Sequence, residues 1–295
     1  MDLRAISMGL AFALMWSSAF SSARIVVAHA PPLGISALRF LIAGTVAVTI
    51  ARALGQSFRL TTAQAKATVI FGICQNALYL GLFFVAMQRI EASLAAIIAS
   101  TMPLLVALAS FAIFGERLRP LGIAGLTAGF AGVAVIMASR LQGGGVDLTG
   151  IGFCLVGVLA LTFATLSVRG ATSGGNVLMV VGLQMLVGTA VLLPASALLE
   201  TWSIDATPAF VAAFAYTIIV PGLVATITWF LLVRRIGAVK AATFHFLNPF
   251  FGVAIASLLL GERLRAWDAV GVLVIMAGIL AVQLSRQPAT LPTRS

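Results

Sequence analysis

The side chains in this sequence that can do chemistry come in short clusters at helical spacing. Gln75, Asn76 and Tyr79 form one, with Gln75 and Tyr79 four residues apart and so on one face of a helix. Thr226 and Trp229 form a second and His245 and Asn248 a third, each pair three residues apart. Trp16, Ser17 and Ser18 stand together, as do Ser100 and Thr101. Amide, hydroxyl, indole and imidazole groups hydrogen-bond and stack, which suits the binding of a small amphiphile. They do not suit bond-breaking, because no carboxylate stands beside them to act as general acid or base. All eight Asp and Glu residues fall between apolar runs or at their ends. No Gly-rich loop ends in Lys-Ser or Lys-Thr, so the sequence carries no ATP motor. Cys74 and Cys154 lack partners at metal-ligand spacing and read as small apolar fillers. His29 and His245 are too few for a metal cluster. Neither an enzyme, a cofactor nor a metal is expected.

The elements that must position these groups are membrane helices. The chain has 295 residues, 61% hydrophobic and 9% charged, with mean hydropathy +1.13. A soluble domain carries about 25% charged residues. The net charge of +10 is spread between apolar runs rather than gathered on one basic face, so no nucleic-acid partner is expected. Ten runs are long enough to cross a bilayer core, which needs about 20 residues. They lie near 5–28, 34–54, 64–87, 92–114, 121–139, 149–168, 175–199, 208–233, 238–260 and 267–285. Lipid leaves no partner for free backbone groups, and continuous apolar runs exclude an alternating barrel, so the fold class is all-α integral membrane. Ala28-His29-Ala30 resembles a signal-peptide cleavage site, but Trp16-Ser17-Ser18 interrupts the apolar stretch, and the first run reads as a retained span.

The sequence repeats itself. Shifting it by 146 positions lays Phe84–Ile136 on Phe230–Val282 without a gap, with about 15 of 53 positions identical. Gly115-Glu116-Arg117-Leu118-Arg119 recurs as Gly261-Glu262-Arg263-Leu264-Arg265, and Pro103 falls on Pro249. The expected units are residues 1–145 and 146–286, five helices each, with a disordered tail at 287–295. A unit of five spans reverses direction on each copy, so the halves should be inverted repeats. That construction places a substrate site near the midplane and exposes it alternately to the two sides. With the N-terminus in the cytoplasm, inside links hold 12 Lys and Arg and outside links 5, which sets both termini inside.

Within the spans, polar groups should face the bundle interior or a cavity. Gln75, His245 and Asn248 are read as cavity groups, and Trp16, Tyr79 and Trp229 as aromatic walls. Ser100, Thr101 and Thr226 are each as well explained by helix–helix hydrogen bonds, worth about 0.6 kcal/mol on average. Arg39 lies a short way into the second run. It either snorkels to the surface or faces a cavity, where it would meet a substrate carboxylate. Pro103 and Pro249 are expected to kink matching helices and serve as hinges. Gly125 and Gly129 have the spacing for close helix packing, within the bundle rather than between monomers.

Ten spans in two halves, each closing on a Gly-Glu-Arg turn, resemble the drug/metabolite transporter superfamily in its EamA-type branch. Trp16-Ser17-Ser18, Pro31-Pro32 and Ala37-Leu38-Arg39-Phe40-Leu41 add to the likeness. Within the branch the chain is most similar to bacterial exporters of aromatic amino acids. The second half carries Thr162-Phe163-Ala164 where the first has Trp-Ser-Ser, which adds Phe163 to the candidate walls. The resemblance implies an inner-membrane permease exporting a small metabolite, an amino acid or a similar neutral or zwitterionic compound; the alternatives are a multidrug or other metabolite permease of the same fold and, behind it, a channel or a membrane enzyme. The expected substrate-binding set is Trp16, Ser17, Arg39, Gln75, Asn76, Tyr79, Thr101, Phe163, Trp229, His245 and Asn248. The expected partners are that small molecule and the bilayer, with the chain acting as a monomer.

Overall fold

A computed structural model describes residues 2–116, 118–142, 147–167 and 176–286. Arg117, Arg169, the proposed boundary at 145–146 and the proposed disordered tail lie outside the described residues. Ten helices are long and apolar enough to cross a membrane. They are α1 (Leu3–Val27), α2 (Pro32–Ala53), α3 (Thr62–Ala86), α4 (Ala92–Phe114), α5 (Pro120–Leu141), α6 (Leu148–Ser167), α7 (Val177–Leu199), α8 (Pro208–Ile236), α9 (Lys240–Leu260) and α10 (Ala266–Ser285). Large apolar side chains such as Leu198, Leu258 and Leu273 point outward, as they do where lipid is the solvent.

An even number of crossings brings both ends to one face, here called the terminal face. Contacts between distant loops agree. On the terminal face Arg235 at the end of α8 pairs with Asp2, and the Ser57 N–H donates to Asn176 Oδ1 at 3.1 Å. On the far face the Asp205 N–H donates to the His29 carbonyl at 2.9 Å. Asp147 opens α6 there, accepting from the Gly150 and Thr149 N–H groups and from Arg89. Those bonds, the Gly150 N–H first, hold its carboxyl below the usual range.

Two helix pairs approach at backbone distance. A Cβ built on Gly125 would stand 2.7 Å from the Gly278 carbonyl, and one on Gly278 would stand 2.6 Å from the Gly125 carbonyl. Gly132 and Gly271 make the same mutual approach, at 2.8 and 2.9 Å. Only glycine permits this crossing of α5 and α10. Gly129 packs on Leu104 and on Gly278. The expectation that this stripe serves packing inside the bundle agrees with these contacts. Gly44 and Gly182 bring α2 against α7 in the same manner.

Four spans are not plain α-helix. In α3 the turns widen to π-helix over Gly72–Leu80, and in α8 over Ile218–Val224. Residues 72 and 218 are 146 apart. Pro221 accounts for the second widening, since a proline removes a helical donor and crowds the preceding turn. The first has no such cause in its sequence. In α4 the helix Ala92–Ser100 ends at Thr101, and a new helix runs Met102–Phe114. In α9 a 3-10 turn, Thr243–Leu247, precedes the helix Asn248–Leu260. Positions 102 and 248 are again 146 apart. Pro103 and Pro249 are therefore not mid-helix kinks. Each is the second residue of a fresh helix, where its missing N–H costs nothing. Both of these helices end on a glycine with positive φ, Gly115 at 64° and Gly261 at 68°, the left-handed stop that a side chain would strain.

Candidate functional site

The bundle encloses a cavity of about 400 Å³, within the usual range for a small-molecule site. Its walls come from both halves of the sequence. Phe12, Trp16, Gln75, Asn76 and Met102 stand on α1, α3 and α4, and Gln184, Met185, Thr226, Trp229 and His245 on α7, α8 and α9. It reaches Gln64, Thr165 and Val177, each within a turn of the terminal-face end of its helix. A smaller chamber of about 70 Å³ continues it inward. Trp16, Gln75, Asn76, Met185 and Thr226 line both. The inner chamber is walled by Arg39, Phe40, Tyr79, Phe83 and Phe84.

The π-turn of α3 helps to gather this lining. A π-helix advances more residues per turn, so Gln75, Asn76 and Tyr79 all line the inner chamber. Tyr79 is buried and its ring lies 4.6 Å from that of Phe83. Phe12 sits between Trp16, at 5.6 Å, and Trp229, at 4.9 Å. His245 meets Phe12 edge-on at 5.3 Å, and its Nδ1 accepts from the Asn248 amide at 2.9 Å.

Arg39 is 6% exposed. Its guanidinium lies 4.4 Å from the Phe40 ring and 4.7 Å from the Phe84 ring. Its Nε is buried without a hydrogen-bond partner. It does not snorkel to the surface; it faces the inner chamber.

Several expected residues lie elsewhere. Phe163 is 60% exposed on the outer side of α6, and Leu161 and Thr165 line the cavity in its place. Helix α6 is apolar all round, so its phase could not be read from hydropathy. Ser17 is fully buried and donates to the Asn248 carbonyl at 3.2 Å, tying α1 to α9. Thr101 donates to the Ile98 carbonyl at 2.7 Å and Ser100 to that of Ile97, the local use open to any helical hydroxyl. Asn248 does not line the cavity but steadies His245. Thr226 donates to the Gly222 carbonyl and also lines both chambers. Gln64 and Gln184, the amides nearest the mouth, were not singled out by sequence. Gln184 was legible, being a lone amide in the long apolar run of α7.

On the far face charged contacts surround an open hollow of about 1020 Å³. Arg140 grips Asp268 with two bonds, Nε to Oδ1 at 3.2 Å and a terminal nitrogen to Oδ2 at 3.0 Å. It also pairs with Glu91 and reaches Ser93 Oγ at 3.3 Å. Arg140 is 6% exposed and Asp268 is fully buried. Asp268 stands at a helix end, as its place in the sequence required, but it is not a solvated loop carboxylate. Glu262 accepts the N–H groups of Ala92 and Ser93 at 2.7 and 2.9 Å, and Glu200 those of Leu33 and Gly34 at 2.8 and 2.9 Å. Carboxylates from the second half thus cap the N-termini of α4 and α2, where the helix dipole favours them. Behind these contacts Phe20, Phe83, Phe84, Met87, Ile90 and Leu94 form one buried cluster between the inner chamber and the far face.

The comparisons fit this architecture. The profile of the EamA-like transporter family matches residues 3–138 and again 148–284. The uncharacterized transporter YvbV of Bacillus subtilis is 27% identical over 91% of this chain and 88% of its own length. The inner membrane transporter YedA of Escherichia coli is 27% identical over 90% of this chain and 87% of its own. The aromatic amino acid exporter YddG of Ancylobacter novellus is 32% identical, over 46% of this chain and 47% of its own. A solved crystal structure aligns over 96% of this chain and 99% of that one, with TM-score 0.69 and 21% identity, a likeness of fold. Matched twice, over nearly its whole length, this ten-helix multi-pass membrane chain belongs to the EamA-like transporter family.

Proposed function

We propose that this protein exports amino acids, aromatic or otherwise neutral, by alternating access, and that it is not an enzyme. One observation carries the reading. The cavity is walled by both halves, reaches toward the terminal face, and ends blind behind the buried cluster and the charged contacts of the far face. The halves act as inverted copies. The backbone departures at 72 and 218, and at 102 and 248, support this, as do the glycine contacts that exchange under the same shift. The bundle works as a monomer in the cytoplasmic membrane, with both termini cytoplasmic. The state described here then faces the cytoplasm. The substrate class draws support from the aromatic and amide lining and from the YddG name borne by one partial relative.

The test is counterflow in proteoliposomes against a panel of amino acids and sugars. Saturable exchange of neutral amino acids is expected. Flux of sugars or cationic drugs with none of amino acids would replace this reading with a general metabolite or multidrug permease. A reporter active only in the periplasm should stay dark when fused at the C-terminus and light up after Leu141 or Ile204. Activity at the C-terminal fusion would overturn the orientation.

A further inference from the structure

Arg39 and Arg140 are equally buried, each 6% exposed. Arg140 is satisfied: Asp268, Glu91 and Ser93 take its donors. Among the described residues Arg39 makes no hydrogen bond and no ion pair, and its Nε is enclosed without a partner. Two phenyl rings attract its charge but offer no acceptor atom. Among the described residues no carboxylate lines the inner chamber.

A lone charge is tolerable at the end of a cavity that opens to water. It becomes costly when the cavity closes, because solvent leaves and nothing replaces it. Alternating access requires that closure in every half-cycle. An incoming carboxylate would supply the missing counter-ion, and the guanidinium fork matches it with two parallel bonds. The phenyl rings beside Arg39 would then hold an apolar or aromatic body.

We propose that Arg39 makes a carboxylate on the cargo a condition for occlusion. The loaded carrier closes and reorients, and the empty carrier stalls. The protein therefore exchanges one carboxylate for another faster than it releases either alone. The cargo class is a small monocarboxylate with an apolar body, with or without an amino group. This rests on the transporter reading of the cavity, and it selects the carboxylate, not the ammonium, as the obligatory group.

The experiment uses the full chain in proteoliposomes loaded with radiolabelled L-phenylalanine or, separately, radiolabelled 3-phenylpropionate, with protein-free vesicles subtracted. Vesicles are diluted into plain buffer, L-phenylalanine, 3-phenylpropionate or phenethylamine. Efflux should be about tenfold or more faster into either carboxylate than into plain buffer or phenethylamine, in line with the cost of a bare buried charge. Arg39→Gln should lose that ratio, and Arg39→Lys should keep a reduced one. Should the Gln variant fail to fold, the wild-type ratio and the Lys variant still decide. Equal efflux into plain buffer, or acceleration by phenethylamine, overturns the proposal while leaving amino-acid transport intact. Exchange of 3-phenylpropionate without L-phenylalanine overturns the amino-acid reading and upholds Arg39. No protein-dependent movement of either carboxylate overturns both.

Discussion

Arg140 at the end of α5 and Asp268 at the start of α10 form a two-bonded ion pair on the far face, with Asp268 fully buried. Arg140 keeps Glu91 if Asp268 is lost, but removing Arg140 strands the fully buried carboxylate of Asp268, which costs about 3–5 kcal/mol. Arg140→Met should therefore lower the thermal midpoint of the detergent-purified protein sharply. Arg140→Met with Asp268→Leu should recover most of the loss. A double variant no more stable than the single one would show that the pair contributes through something other than charge balance.

The lining of α6 can be read by cysteine labelling, with Cys74 and Cys154 first replaced. Thr165→Cys should react with a membrane-impermeant thiol reagent applied from the terminal face. Phe163→Cys should react only with a lipid-soluble reagent. The reverse pattern would mean that α6 is rotated in the membrane.

Much of the fold was legible because lipid imposes a blunt rule. Ten apolar runs had to be helices, and their ends were readable to within a few residues, as with 92–114 and Ala92–Phe114. The rotation of each helix was not legible. A span that is apolar on every side carries no stripe to orient it, and Phe163 was misplaced for that reason. The π-turn in α3 has no proline to announce it. The burial of Asp268 depends on a partner 128 residues away. Gln75, His245 and Arg39 were legible because a polar group deep in a span needs a reason to be there.

The breaks before Pro103 and Pro249 suit a pair of hinges at matching depths. Pro103→Ala or Pro249→Ala lets the two pieces of its span join into one helix. Each substitution should bias the protein toward one facing. Cysteine accessibility on the two sides should shift in opposite senses for the two variants. Unchanged labelling with transport intact in both would leave these prolines as fixed structural breaks.

Proton coupling needs a group in the path whose charge changes during the cycle. Among the described residues no carboxylate lines the two chambers, and the imidazole of His245 is held by Asn248 as an acceptor. Reconstituted protein should exchange substrate with the pH and voltage gradients collapsed. His245→Gln should retain flux, since an amide can take the same hydrogen bond. Concentrative uptake driven by an imposed pH gradient, and lost in that variant, would make His245 a proton site.

At the terminal face Arg235 holds the Asp2 carboxyl at about 2, below its ordinary 3.8. A depressed acid stabilises the folded form above its unfolded value and loses that effect as pH falls through the folded one. The tie between the N-terminus and α8 should be constant at neutral pH and fail only as pH drops from 3.8 toward about 2. Hydrogen exchange in the first turn of α1 would follow it. A loss already complete near neutral pH would exclude this pairing.

The glycine crossing of α5 and α10 maps onto itself under the 146-residue shift. Exchange the two halves, and Gly125 on Gly278 becomes Gly271 on Gly132, a contact already present. On the inverted-repeat reading proposed above, such a seam reads the same from either side of the membrane and carries no preference for one facing over the other. Preference has to come from places where the copies differ. Shifted by 146, Arg140 falls on Arg286, but Asp268 falls on Gly122 and Glu91 on Gly237. The clasp of Arg140 with Asp268 and Glu91 is therefore one place where the two copies are spelled differently, and on the alternating-access reading proposed above it can favour one facing.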